Sequence, residues 1–149
     1  MILDVRDGSR IEIEEDISYS SIDMSRGDRW LAYATCASGP SGCGESAIQL
    51  VDLGSGASRR VATLSGSAIV LALSPAADRL FVCLRTGSEE PELASLIVAT
   101  SGRAISIEGA WWPLGWLGNQ RVVLTGPWGS GDTLAVADAE TGALRQFYP

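Results

Sequence analysis

The stretch Ser67 to Thr86, SAIVLALSPAADRLFVCLRT, constrains the fold more than any other part of the chain. Ile69 to Leu73 is a short aliphatic run rich in β-branched residues. Ser74-Pro75-Ala76-Ala77-Asp78 interrupts it with turn chemistry, because proline fixes φ and an aspartate side chain bonds nearby backbone. Leu80-Phe81-Val82-Cys83-Leu84 is a second apolar run, too short for a typical helix and without alternation. Such runs suit strands covered on both faces. Turn residues cut the chain about every 8–12 residues, which disfavours a buried helix and points to an all-β fold. The prediction is two strands joined by a tight turn.

The same plan recurs on either side. Ile22 to Tyr33 carries it, with Ser25-Arg26-Gly27-Asp28 at the turn, and so does Leu114 to Leu124. In this reading Arg29, Arg79 and Arg121 align. A second series of turns follows each unit: Asp52-Leu53-Gly54-Ser55-Gly56-Ala57, Thr100-Ser101-Gly102-Arg103 and Asp138-Ala139-Glu140-Thr141-Gly142-Ala143, with an earlier copy at Arg6-Asp7-Gly8-Ser9. Gly8, Gly56, Gly102 and Gly142 supply the positive φ that such hairpin turns need. Self-similarity about every 40–50 residues, with about four strands per unit, is the signature of β-propeller blades.

Taken in order, residues 1–15 read as the outer hairpin of a partial blade. Residues 16–65, 66–108 and 109–149 read as three blades of four antiparallel strands each. The connection after Trp30–Thr35 is read as a loop containing Cys36 and Cys43. The connection from Arg85 to Glu92 is read as an exposed acidic loop, and that from Gly126 to Asp132 as a Gly-rich one. Three and a half blades make an incomplete ring, whereas propellers close with about four to eight. An open arc exposes apolar faces and strand edges, which invites self-association. The expectation is part of a longer propeller, with an oligomer that repairs the seams as the alternative.

Charge and composition exclude several functions. The 149 residues include 18 acidic and 11 basic ones, all of the latter arginine, for a net charge of −7. Nucleic-acid binding needs clustered positive charge, and anionic membranes attract it, so neither is expected. No apolar run approaches the roughly 18 residues of a membrane span. The first 15 residues lack the basic and apolar regions of a signal peptide, which leaves cytoplasmic placement, or periplasmic placement within a longer precursor, open. With no histidine in the chain, Ser-His-Asp and Cys-His arrangements are ruled out within it. Gly54-Ser55-Gly56-Ala57-Ser58-Arg59 lacks the third glycine and following helix of a dinucleotide loop. No catalytic, metal-binding or cofactor-binding residues are therefore assigned.

The candidate ligand or partner surface is aromatic: Trp111, Trp112 and Trp116 cluster at an inner strand, and Trp128 sits in the Gly-rich loop. Tryptophan is enriched at binding hot spots. Trp112 and Trp116, four apart, are placed on one side of a strand, where ordinary packing between blades is the competing reading. Cys36 and Cys43 flank Ala37-Ser38-Gly39-Pro40-Ser41-Gly42, and two outcomes are open: a disulfide across the loop, implying an oxidising compartment, or two free thiols. Cys83 reads as a small buried hydrophobe.

Leu73-Ser74-Pro75-Ala76-Ala77-Asp78-Arg79-Leu80 and Ile48-Gln49-Leu50-Val51-Asp52-Leu53-Gly54-Ser55-Gly56 resemble the repeats of bacterial WD-repeat-like and TolB-type propellers. The absence of histidine favours the looser TolB-type group. The resemblance implies a rigid platform for a protein partner: a non-catalytic interaction or scaffold module. Two alternatives are the propeller of a prolyl-oligopeptidase-type hydrolase with catalysis elsewhere, and a carbohydrate-binding propeller that uses the Trp cluster.

Overall fold

The computed structural model describes residues 2–3, 10–11, 17–25, 27–39, 42–87, 92–126 and 133–147. Strands β1 (Ile2–Leu3) and β2 (Arg10–Ile11) pair as a ribbon. The first four-stranded sheet is β3 (Ile17–Met24), β4 (Trp30–Gly39), β5 (Gly42–Asp52) and β6 (Ser58–Ser65). The second is β7 (Ser67–Leu73), β8 (Arg79–Thr86), β9 (Glu92–Ala99) and β10 (Ala104–Ile107). The third is β11 (Trp112–Leu117), β12 (Arg121–Thr125), β13 (Leu134–Asp138) and β14 (Leu144–Phe147). Within each sheet neighbours in sequence are antiparallel neighbours in space, and the three sheets do not close a ring. Among the described residues there is no helix, and so none long and apolar enough to cross a membrane.

The apolar runs fold as their patterns dictate. Leu80 to Leu84 of β8 are all buried, so this strand is covered on both faces, whereas β13 alternates buried and partly buried positions. One connection differs from expectation. The segment between Cys36 and Cys43 is ladder rather than loop: β4 and β5 stay paired out to Gly39 and Gly42. In the second sheet the strands likewise lengthen, and Glu92 belongs to β9.

Two turn types repeat. After β3 and β7, the Ser25 and Ser74 amides donate to the carbonyls of Trp30 and Arg79. Their hydroxyls accept the Trp30 and Arg79 amides, each at 3.1 Å. Asp28 and Ala77, both at φ +56°, occupy the same place in the turn. This bonding makes Arg29 equivalent to Asp78 and Trp30 equivalent to Arg79. Leu53, Thr100 and Ala139 donate to the carbonyls of Arg29, Asp78 and Gln120, which fixes the same alignment. Arg79 and Arg121 are thus equivalent, and Arg29 lies one position ahead of them, a correction to the sequence register. The outer turns keep their glycines, with Gly56, Gly102 and Gly142 at φ +72°, +95° and +74°. The turn at Gly8 lies outside the described residues.

The sheets stack face to face through two apolar cores. Ala32, Ala34, Ile48 and Leu50 of the first sheet meet Leu80, Val82, Leu84 and Val98 of the second. Phe81, Cys83 and Ile97 on the other face of the second meet Val122, Leu124, Ala135 and Ala137 of the third. Buried serines tie the backbone across these seams. Ser46 Oγ donates to the Gly66 carbonyl at 2.8 Å and accepts the Ala68 amide at 2.9 Å. Ser95 Oγ accepts the Trp111 amide at 2.8 Å. At the rim, Arg79 reaches the Asn119 carbonyl and the Glu140 carboxylate of the third sheet. The first strands of all three sheets, β3, β7 and β11, lie side by side, and each carries a register irregularity against its partner. Such bulges bend and twist a strand.

Candidate binding cleft at the inner strand ends

The ends of β3, β7 and β11 enclose a cleft of about 460 Å³. This size falls in the usual range for ligand sites, roughly 300–1,000 Å³. Asp23 and Met24 come from β3, Ala72 and Leu73 from β7, and Leu114 and Trp116 from β11. Pro75 and Pro113 add apolar wall. Among the described residues Asp23 is the one charged residue in this lining. Met24 and Leu114 are 47% and 59% exposed, so the rim is apolar and open to solvent.

One peptide unit sets the geometry. The Leu73 amide donates to Asp23 Oδ2 at 2.6 Å, and the Ala72 carbonyl accepts the Trp116 indole N–H at 3.0 Å. The two groups point to opposite edges of a trans peptide plane. An inner strand has no further strand to pair with, and the Leu73 N–H would otherwise be an unpaired edge donor. Asp23 of the preceding sheet fills that need with one oxygen. No described residue bonds its other oxygen. Trp116 fixes the following sheet to the same point, lines the cleft and packs against the core between the second and third sheets.

Of the tryptophans, Trp116 is the one brought to the cleft. Trp111 is buried, with its indole N–H donating to the Glu108 carbonyl at 2.7 Å. Trp112 is half-buried against the core between the second and third sheets. The ladder register does not keep Trp112 and Trp116 on one side of β11, but Trp116, like Trp112, packs against that core, so packing between blades holds for both. Trp112 pairs with Thr125 and Trp116 with Val122, three positions apart on β12, because the bulge between Pro113 and Gly115 inserts a residue. Trp128 lies outside the described residues. Cys36 and Cys43 are joined by a disulfide with a Cα–Cα distance of 5.6 Å, far along the β4–β5 hairpin.

Sequence reasoning did not single out Asp23, Met24, Pro113 or Leu114. A signal for Asp23 was present: in Ile22-Asp23-Met24 a carboxylate stands where the equivalent strands have Ala72 and Gly115.

No protein-family model and no curated protein sequence matches the chain. Solved structures do. The acylaminoacyl peptidase of Pyrococcus horikoshii superposes with a TM-score of 0.65 at 13% identity, over 99% of this chain and 27% of that one. The β-propeller domain of the Trilobed protease from Pyrococcus furiosus, described as having an open velcro topology, gives 0.60 at 15% identity, over 89% and 44%. The AtxE2 isopeptidase, solved with Astexin3-dC4 bound, gives 0.62 at 12% identity, over 92% and 30%.

The fold is that of a β-propeller.

At these identities the likeness is one of fold, and the chain spans 27–44% of the length of these solved chains. The three sheets are accordingly three blades, with β3, β7 and β11 as their inner strands. The cleft lies at one end of those inner strands.

Proposed function

We propose that this propeller segment is a non-catalytic binding module whose cleft receives a segment of another polypeptide. The observation that carries this reading is the cleft itself: an open, mostly apolar hollow with a solvent-exposed rim and, among the described residues, a single acidic group. Apolar pockets with few, well-placed polar groups are the usual form of a recognition site. The inner-strand ends are also firmly cross-tied, and a rigid wall lowers the entropic cost of binding. A sugar-stacking role has less support, because Trp111 is buried and Trp112 packs against the core between the second and third sheets.

The test is a peptide array probed with the purified chain, compared with Leu114→Asp and Met24→Asp variants. Both positions are exposed, so the fold is expected to persist by circular dichroism. Peptide retention by the parent and loss in both variants is the expected result. Equal retention by all three proteins would sink the reading.

A second reading has an observation of its own. The three solved proteins named above are peptidases or proteases by name, which supports this segment serving as the propeller of such an enzyme, with catalysis elsewhere. A serine-directed fluorophosphonate probe, applied to the full-length protein from its native cells, labels it if this holds. No labelling counts against it.

A further inference from the structure

Building on the polypeptide-binding reading, we infer that the cleft selects an arginine side chain of the bound segment. Four observations converge on this chemistry. Among the described residues Asp23 is the only charged one of the lining, and one of its oxygens is already committed to the Leu73 amide while the other has no partner among them. A carboxylate held in place by a 2.6 Å bond needs no reorganisation to meet a cation. Trp116 lines the same cleft while packing against the core behind it, and its ring orientation is locked by the bond to the Ala72 carbonyl. An aromatic side chain and a carboxylate fixed on opposite edges of one peptide unit, both lining one cleft, suit a guanidinium, which stacks on rings and is more weakly hydrated than an ammonium. The remaining walls, Leu71, Pro75 and Pro113 among them, match the aliphatic stem of such a side chain. Finally, the chain carries a net charge of −7, which draws cationic partners toward it.

The occupant is a side chain within a polypeptide rather than a free small cation, because the exposed Met24 and Leu114 rim extends the apolar surface beyond the carboxylate. That rim has contact to offer to residues flanking the arginine.

The experiment is a fluorescence anisotropy titration of the purified chain with four capped heptapeptides, identical except for arginine, lysine, citrulline or glutamate at the centre. Citrulline keeps the shape of arginine and removes the charge. The arginine peptide is expected to bind at least tenfold tighter than the citrulline and glutamate peptides, with lysine between. Asp23→Asn keeps an acceptor for the Leu73 amide, so folding is retained. It is expected to cost the arginine peptide about tenfold and the citrulline peptide little. Should Asp23→Asn fold poorly, the salt dependence decides in the parent protein: affinity for the arginine peptide falls with added sodium chloride and that for citrulline does not.

Equal binding of arginine and citrulline peptides overturns the arginine inference and leaves the polypeptide-binding reading intact. Failure of every peptide to bind removes both. Spermidine that competes as strongly as the arginine peptide also overturns the inference, since it assigns the carboxylate to a free polyamine.

Discussion

Asp23 and Trp116 hold opposite edges of one peptide unit, Ala72–Leu73, although they lie on different blades and 50 and 44 residues away along the chain from the atoms they bind. Through that unit the first, second and third blades are linked at a single point. Removing either partner should therefore loosen the inner strands more than a surface change. Asp23→Ala leaves the Leu73 N–H without an acceptor, and an unsatisfied, partly buried donor costs about 1–3 kcal/mol. Asp23→Asn is expected to cost much less, because its amide oxygen still accepts. Trp116→Phe loses the indole N–H and about 1 kcal/mol. Urea unfolding monitored by circular dichroism ranks the three; equal midpoints for Asp23→Ala and Asp23→Asn would refute the tie.

Gly142 and Gly56 sit at equivalent turns with nearly equal φ, +74° and +72°, but in different surroundings. A β-carbon on Gly56 meets nothing within 4 Å, whereas one on Gly142 would lie 2.8 Å from both Ile105 Cγ2 and the Ser106 carbonyl of the preceding blade. Gly56→Ala should cost only the left-handed backbone penalty of about 1–2 kcal/mol. Gly142→Ala should cost clearly more, because backbone must shift. Thermal melts of the two variants give the difference directly, and a larger loss for Gly56→Ala would contradict the close approach.

The Cys83 thiol lies at the centre of the second core, 1% exposed, and burial pushes it up to about 11. It should resist a thiol reagent at pH 8 in the native protein. After denaturation without reductant one thiol per chain should react, and after reduction three, because Cys36 and Cys43 are joined. The pH dependence has a definite sign. The unfolded thiol ionises first, near pH 9, so the stability linked to Cys83 is full below that value and is lost as pH rises toward 11. Cys83→Ala should flatten the decline in that window. Two reactive thiols or more before reduction would contradict the disulfide.

Asp52 and Asp138 behave in the opposite direction. The Arg29 guanidinium, together with the Gly54 amide, holds Asp52 below the usual carboxylate range. The Thr141 hydroxyl and amide, with the Glu140 amide, do the same for Asp138. The unfolded chain takes up these protons first, near pH 4, so the turns contribute stability above that pH and lose it as the pH falls through the lower folded values. Asp138→Ala should start less stable at pH 6 and decline less steeply between pH 5 and 2. A slope identical to the parent's would show that the turn carries no such linkage.

The strands and outer turns were legible in the sequence because their causes are local. Ile69–Leu73 and Leu80–Leu84 fold within two paired strands joined at the Ser74–Asp78 turn, as expected, since apolar runs and turn residues act within a few positions. Blade-length periodicity similarly carries the all-β, propeller-type architecture, because each sheet repeats one supersecondary unit.

What the chain alone did not reveal depends on register and on contacts between blades. The bulge between Pro113 and Gly115 separates Trp112 from Trp116, and nothing in the spacing of two tryptophans announces an inserted residue. Arg29 slips one place from Arg79 because the serine-closed turns, not the arginines, align the repeats. The cleft is the clearest case. Asp23 looks like a solvated charge at the end of a strand, and only the packing of three blades sets it against the Leu73 amide and beside Trp116. Local sequence determines whether a segment becomes a strand and where it turns. Which side chains meet across a seam follows from the twist and bulging of whole sheets, which are properties of the assembled tertiary structure.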